Sequence, residues 1–469
     1  MTSATRSVDV AIIGAGTAGL YALREVRKRG CSAVLIDHGP LGTTCARVGC
    51  MPSKAALHVA HLWNAARTAT HCGFPAPAAG SEPDLTAAWA EVRRKRDFFA
   101  DRTAERTRQF AGDDLIMGSA RFIAPHAVKV ARDDGEKVIV EAKAFVLAVG
   151  SRPFLPPNLM SINATRLLTT DSLFEIDTPP RRIGVVGLGA IGIEMGLALS
   201  RLGVDVVGVE QAPTLAGISD PEVRAKALAR FQREFPIRLE TAATFEERAA
   251  DILIRFPDRS QAVVDALLVA TGRRSNLDRV DLPAAGVTLN PRGFPERFDP
   301  ETLQAGGAPI FIAGDANGLL PLMHEAAVEG GAAGRNAALV AKGETPLPRK
   351  VLPPLAIVFS DPDVVRVGAR FADLDPEAIV IGTGKGEENG RSRVLDETET
   401  LVRVYAEKGS GKLLGAELVA AQGEHLGHFL AQAIARGETV RDLLALPYYH
   451  PTVEELLQSA LLDAASKVK

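Results

Sequence analysis

Two cysteines five positions apart, Cys45 and Cys50, stand in the glycine-bounded string GTTCARVGCMPSK at residues 42–54. The chain holds four cysteines in 469 residues, too few for a disulfide-stapled secreted scaffold, so a close pair points to thiol chemistry or a metal. A helix would turn positions five apart onto different faces. The segment CARVGC must therefore fold back to bring two Cα atoms within the roughly 4.4–6.8 Å that a disulfide needs, and Gly49 gives it the freedom to do so. Pro52 suits the first turn of a helix PSKAALHVAHL, which puts Cys50 beside a helix N-terminus, where the dipole favours a thiolate. Zinc would have to complete its ligand set from Cys72, His58, His61 or His71, and it usually takes closer thiol spacing. No metal is expected, and a purely structural disulfide is the other alternative. Thiol exchange also needs an acid–base group, for which histidine is suited at neutral pH; the chain has nine.

Such a loop must be held against whatever supplies or accepts electrons. Residues 8–37, VDVAIIGAGTAGLYALREVRKRGCSAVLID, read as an apolar strand, a turn at Gly14, Gly16 and Gly19, a helix, and a second strand ending in Asp37. Glycines there let the backbone approach a pyrophosphate, which sits on the free N–H groups of the helix, while the acid can accept hydrogen bonds from ribose hydroxyls. Residues 183–210, IGVVGLGAIGIEMGLALSRLGVDVVGVE, repeat the pattern with Gly187, Gly189, Gly192 and Glu210, and each acid stands 23 residues after its first glycine. Two unrelated turns would not need an acid at the same offset, so two dinucleotides are expected. Glu210 would repel the 2′-phosphate of NADP and no arginine directly follows it, which favours NAD at the second site; a solvated strand end is the bland alternative. IFIAGDANG (310–318) reads as a strand ending in Gly314 and Asp315, where α/β sheets bind ligands, or as an ordinary turn aspartate.

Composition limits the partners. At 46% hydrophobic and 24% charged residues the chain is an ordinary multidomain protein, and a net charge of −3 offers no field for nucleic acid. No apolar run approaches the roughly 20 residues of a membrane span, and MTSATRSVDVAIIGAG moves straight into a strand, so no membrane and a cytoplasmic location are expected. CGFPAPAAGSEPD (72–84) reads as an ordered excursion or loop. After about residue 350, two strand-like stretches and a helix between Glu424 and Arg436 fit an α+β module; His425 and His428 on that helix suit solvated or interface positions.

The string CxxxxCxPSK beyond a first GxGxxG resembles the redox centre of the class I pyridine nucleotide–disulfide oxidoreductases, flavin-dependent enzymes. Further landmarks of that family follow in order: AVGSRP (148–153) with Gly150, the second GxGxxG, TGRRSN (271–276) with Gly272 and Arg273, AGD (313–315), and HPTVEE (450–455). The resemblance implies that Cys45 is the interchange thiol and that Cys50 lies against the flavin. It implies FAD at the first site, with Asp315 on its ribityl chain, and places Lys54 near the flavin ring, paired with Glu194; a plain helix-surface lysine is the alternative. A buried lysine without an anion would be costly, which supports the pairing. His324 falls either near the ring or at an ordinary helix end. His450 becomes the acid–base group, with Glu455 fixing its tautomer, although Thr452 and Glu455 also fit a T-x-x-E capping box. In this family the histidine reaches the cysteines of the other subunit, which implies a homodimer with a shared active site.

The expected fold is α/β, with two Rossmann-like dinucleotide-binding domains, for FAD and NAD, plus a C-terminal α+β dimerisation domain. The FAD domain would span 1–150 and 276–347, the NAD domain 151–275, and the interface domain 348–469. The resemblance further implies NAD-linked oxidation of protein-bound dihydrolipoyl dithiols, with a lipoyl-bearing protein as partner. Thr43 replaces the family's usual glycine, Arg47 stands where asparagine is common, and Tyr448 and Tyr449 precede His450. These positions border the disulfide pocket and leave open a reductase of another disulfide, glutathione-like or low in molecular weight. A redox-sensing flavoprotein without turnover is a third reading, against which the presence of Cys45, Cys50, His450 and Glu455 together argues.

Overall fold

The computed structural model describes residues 4–75 and 82–469, so residues 76–81 of the 72–84 excursion lie outside the described residues. The chain divides into two compact units. The first comprises the residues up to Pro52, Arg94–Pro153 and Arg273–Val351. Its nine-stranded sheet has a parallel core in the order Ile310–Ile312, Lys137–Leu147, Ala4–Ile13, Ala33–Asp37, Leu115–Met117. Short antiparallel strands extend one edge. Val10, Ala11 and Ile12 are fully buried, as expected for central parallel strands covered on both faces. Helix Thr17–Lys28, which follows the first glycine turn, crosses helix Met323–Ala341 at close range. A Cβ at Gly330 would lie 2.2 Å from the Ala18 carbonyl oxygen, and one at Gly334 2.4 Å from that of Ala22. Two glycines one helical turn apart thus let the backbones touch, and they fix the first helix against the one that follows Asp315.

The second unit comprises Ser53–Arg93, Phe154–Gly272 and Leu352–Lys469. Its parallel sheet runs Ile237–Arg238, Asp205–Val209, Arg182–Val186, Ala266–Val269, Leu167–Leu168. A five-stranded antiparallel sheet follows in the C-terminal region, ordered Leu355–Val358, Asp363–Gly368, Leu413–Ala420, Leu401–Glu407, Ile379–Lys385. Helix Gly423–Arg436 accompanies it, and helix Glu454–Lys467 lies on the last strand. A Cβ at Gly382 would meet the Ala460 carbonyl oxygen at 2.0 Å, and one at Gly384 that of Leu456 at 2.2 Å. That close approach anchors the helix whose first turn carries Glu455. The fold is α/β, as expected, and it includes mixed sheets. Among the described residues no helix is long and apolar enough to cross a membrane.

Candidate active site

The redox loop is built from two helix starts. Thr43 caps the short helix Thr44–Arg47, which carries Cys45: its hydroxyl accepts from the Ala46 N–H at 3.2 Å. Its backbone stands at φ 58°, ψ 150°, a glycine conformation that costs another residue about 1–3 kcal/mol. The threonine thus holds a backbone that favours glycine and adds a cap. Cys50 is itself the first residue of helix Cys50–Thr68, two residues earlier than the proline suggested, and it is exposed while Cys45 is half-buried. Gly49 is not in the left-handed region. Its Cβ would lie 3.1 Å from the Thr44 carbonyl oxygen and 3.4 Å from Cys45 Cα, so glycine is needed there for the close fold-back and not for a special backbone angle. Arg47 lines a cavity of about 760 Å³ with Leu41, Asp101, Glu105 and Arg108.

The two glycine turns share one construction. Gly14 and Gly187 are left-handed, at φ 107° and 94°. Gly16 and Gly189 precede the helices Thr17–Lys28 and Ala190–Arg201, neither of which has a side-chain cap. A Cβ at Gly16 or Gly189 would meet nothing within 4 Å. Each helix start therefore offers N–H donors and open space, which is what a pyrophosphate needs. Asp37 accepts from the N–H groups of Ala15 and Gly39, both at 2.6 Å. Glu210 accepts from those of Leu188 and Ala212, both at 2.9 Å. The acids are fixed beside the turns, and the residues fit two dinucleotides.

Asp315 lies in the short turn Gly314–Asn317 after strand Ile310–Ile312. Ser151 donates to its carboxylate at 2.7 Å, and Arg273 donates to the Ser151 hydroxyl at 2.7 Å. Ser151 was not singled out in the sequence, although it follows Gly150 in AVGSRP. Gly150 and Gly272 are left-handed at φ 64° and 106°, with open space around each. Lys54 and Glu194 are brought together, with Nζ 2.7 and 2.8 Å from the two carboxylate oxygens. Phe359 completes this group: its N–H donates to Glu194 at 3.2 Å and its ring centroid lies 4.6 Å from Lys54 Nζ. No motif or spacing marked Phe359.

His450 Nδ1 stands 2.9 Å from Glu455 Oε1, and the other carboxylate oxygen accepts from the Thr452 N–H at 2.9 Å. These two hydrogen bonds, that to His450 foremost, hold the Glu455 carboxyl below its ordinary range. The capping box is only half formed, because the Thr452 hydroxyl donates to the Tyr449 carbonyl oxygen and helix Glu454–Lys467 has no side-chain cap. The imidazole is 78% exposed and Tyr449 83%, so the second ring nitrogen is open to an incoming group. His324 is half-exposed, 3.9 Å from Glu325, and His428 bonds only the Glu424 carbonyl oxygen of its own helix. Among the described residues no three His, Cys, Asp or Glu side chains are grouped to hold a metal.

Residues 8–330 match the pyridine nucleotide-disulphide oxidoreductase family and residues 355–461 its dimerisation domain. The chain belongs to this family, whose members use FAD and NAD(H). It is similar to the dihydrolipoyl dehydrogenase of Synechocystis sp., 30% identical over 473 residues that cover 96% of this chain and 98% of that one. It is also similar to the mercuric reductase of Shigella flexneri, 29% identical over 481 residues, 100% of this chain and 83% of that one. Among solved structures, LpdA of Mycobacterium tuberculosis shares the fold, with a TM-score of 0.82 at 24% identity over 97% of this chain and 99% of that one.

Proposed function

We propose that the protein is a homodimeric FAD enzyme that oxidises protein-bound dihydrolipoyl dithiols with NAD, a dihydrolipoyl dehydrogenase. The observation that carries this reading is the His450–Glu455 pair at 2.9 Å in a chain that also sets Cys50 at the head of a helix five residues after Cys45. A thiol couple and an oriented base serve repeated dithiol exchange, and a scaffold requires neither. The relatives named dihydrolipoyl dehydrogenase support the substrate class, and Glu210 supports NAD over NADP.

Gly14, Gly16, Gly19, Asp37, Gly150, Arg273 and Asp315 would hold FAD, with Lys54 and Glu194 beside its ring. Gly187, Gly189, Gly192, Glu210 and Gly272 would hold NAD, and the domain limits are those given from the sequence. His450, through the ring nitrogen that does not face Glu455, takes the proton of a dihydrolipoyl thiol. The thiolate attacks Cys45 Sγ of the Cys45–Cys50 disulfide, and Cys50 leaves as a thiolate stabilised by its helix. The exposed imidazole releases that proton to water and takes the proton of the second lipoyl thiol, whose sulfur attacks the first and expels Cys45 as a thiolate; the cyclic disulfide departs and both electrons rest on Cys45 and Cys50. When bound, FAD would supply the route by which that electron pair reaches NAD, and Cys45 and Cys50 would re-form their disulfide.

Anaerobic mixing of the oxidised holoenzyme with dihydrolipoamide tests this. Cys45→Ser should keep its flavin and be reduced by NADH but not by dihydrolipoamide, and His450→Gln should slow reduction by the dithiol about 100-fold or more. Rapid dithiol reduction of Cys45→Ser would contradict the scheme. Arg47 in the loop and the exposed Tyr449 favour a second reading, reduction of a different small disulfide, which faster turnover of NADH with glutathione disulfide would establish.

A further inference from the structure

Ser151 and Ser275 hold the middle of the turn that carries Asp315, and one further side chain ties its two ends. Glu329, 1% exposed on helix Met323–Ala341, uses a single oxygen, Oε2, to accept from the Gly314 N–H at 2.8 Å and from Asn317 Nδ2 at 2.7 Å. One atom thus ties both ends of Gly314–Asn317. The glycines at its ends, Gly314 and Gly318, are left-handed, at φ 70° and 74°, and a Cβ at Gly314 would lie 3.2 Å from Ala18 of the first glycine-turn helix.

Behind Glu329 lies a buried charge group. Arg349 stands 3.7 Å from Glu329 Oε1 and 3.6 Å from Glu325 Oε2, and all three side chains are at most 8% exposed. Glu329 Oε1, Glu325 Oε1 and Arg349 Nη1 have no hydrogen-bond partner. Burial holds the Glu329 carboxyl above its ordinary range. A buried carboxylate is costly unless its hydrogen bonds are made, and every directed bond that Glu329 makes goes to the Asp315 turn.

We propose that Glu329 is a positioning residue for the flavin: it does not touch the cofactor but sets the place of Asp315, with Arg349 balancing its charge. This rests on the reading of Asp315 as the ribityl-chain ligand. FAD release from the holoenzyme, followed by flavin fluorescence on dilution, tests it, with NADH affinity as the measure of general damage. Glu329→Ala strands two buried donors and should raise the Kd for FAD about tenfold or more. Glu329→Gln keeps an oxygen acceptor and should stay within about threefold of wild type. Should Glu329→Ala not fold, Asn317→Asp replaces one of the two donors with a carboxylate and should also weaken FAD about tenfold. NADH affinity should hold within about twofold throughout. Wild-type FAD affinity in Glu329→Ala and Asn317→Asp overturns the proposal, as does a Gln variant no better than Ala, or equal loss of NADH and FAD. Asp315→Asn separates the two layers. If it weakens FAD while the Glu329 variants do not, the clamp alone is wrong; if it binds FAD as wild type does, the assignment of Asp315 is wrong.

Discussion

At the first glycine turn, a Cβ on Gly14 would lie 2.1 Å from the Ala148 carbonyl oxygen and one on Gly19 1.8 Å from that of Gly14; at the second, the corresponding distances are 2.6 Å from Ala270 and 1.9 Å from Gly187. Each acid accepts from the N–H one residue after the first glycine. The helices that follow differ. Thr17–Lys28 buries a stripe of Ala18, Gly19, Ala22, Leu23 and Val26 and turns Arg24 to solvent, whereas Ala190–Arg201 is buried continuously from Gly192 to Leu199. Two residues after the third glycine, the first helix has Tyr21, which lies under Arg24, and the second has Glu194, which holds Lys54. The turn is thus dictated by backbone crowding that allows one solution. What its helix carries is dictated by what packs around it.

The largest effects should come from the crowded glycines. Gly19→Ala should abolish FAD retention, and Gly192→Ala should weaken NADH more than about 100-fold while FAD stays bound, since neither added carbon has room. Equilibrium binding of each cofactor to each variant checks this, and loss of both cofactors in both variants would break the comparison. Next come the positions where the helices part. Glu194→Ala leaves a half-buried ammonium without its anion and should cost about 2 kcal/mol in urea unfolding, against about 1 kcal/mol or less for Tyr21→Ala. Equal costs would mean that the two helices are not in different surroundings after all. At the open glycines, Gly16→Ala and Gly189→Ala should leave stability within about 0.5 kcal/mol while reducing affinity for FAD and NADH respectively about tenfold, because only the ligand meets the new carbon.

The smallest effect lies outside both turns. Because hydrogen bonding lowers the folded pKa of Glu455, its stabilising contribution is present above the ordinary value of about 4.3 and is lost as pH falls through the lower folded value. The difference in melting temperature between wild type and His450→Ala should therefore be small, given the exposure of the pair, and should shrink progressively as pH falls below about 4.3. A difference that grows on acidification would contradict this.

The glycine turns were legible because their requirements are local: a tight turn, a close helix and an acid at a fixed offset all fall within 30 residues. Pro52 stands in the first turn of helix Cys50–Thr68, as a proline's fixed φ and missing N–H allow, and only the exact start, two residues earlier, is not marked by the proline. Gly49 serves the expected fold-back, through the room it leaves beside Thr44 and Cys45, and that crowding does not show in a string of letters. Thr43 concealed its backbone angle, because a β-branched residue in a glycine conformation contradicts local preference. Lys54 and Glu194 are 140 residues apart, and only the family resemblance joined them. Phe359 and Glu329 had no signal at all, because each acts through a partner that the fold, and not the sequence, brings near.

The central claim is that this active site exchanges a lipoyl dithiol with NAD. Steady-state kinetics of the purified holoenzyme with NAD and dihydrolipoamide, beside NADH or NADPH with lipoamide and with glutathione disulfide, tests it most directly. Fast NAD-dependent oxidation of dihydrolipoamide, with NADPH inactive, is the expected result. Negligible turnover of dihydrolipoamide by an enzyme whose flavin NADH still reduces would contradict it, and would favour a different disulfide as the substrate.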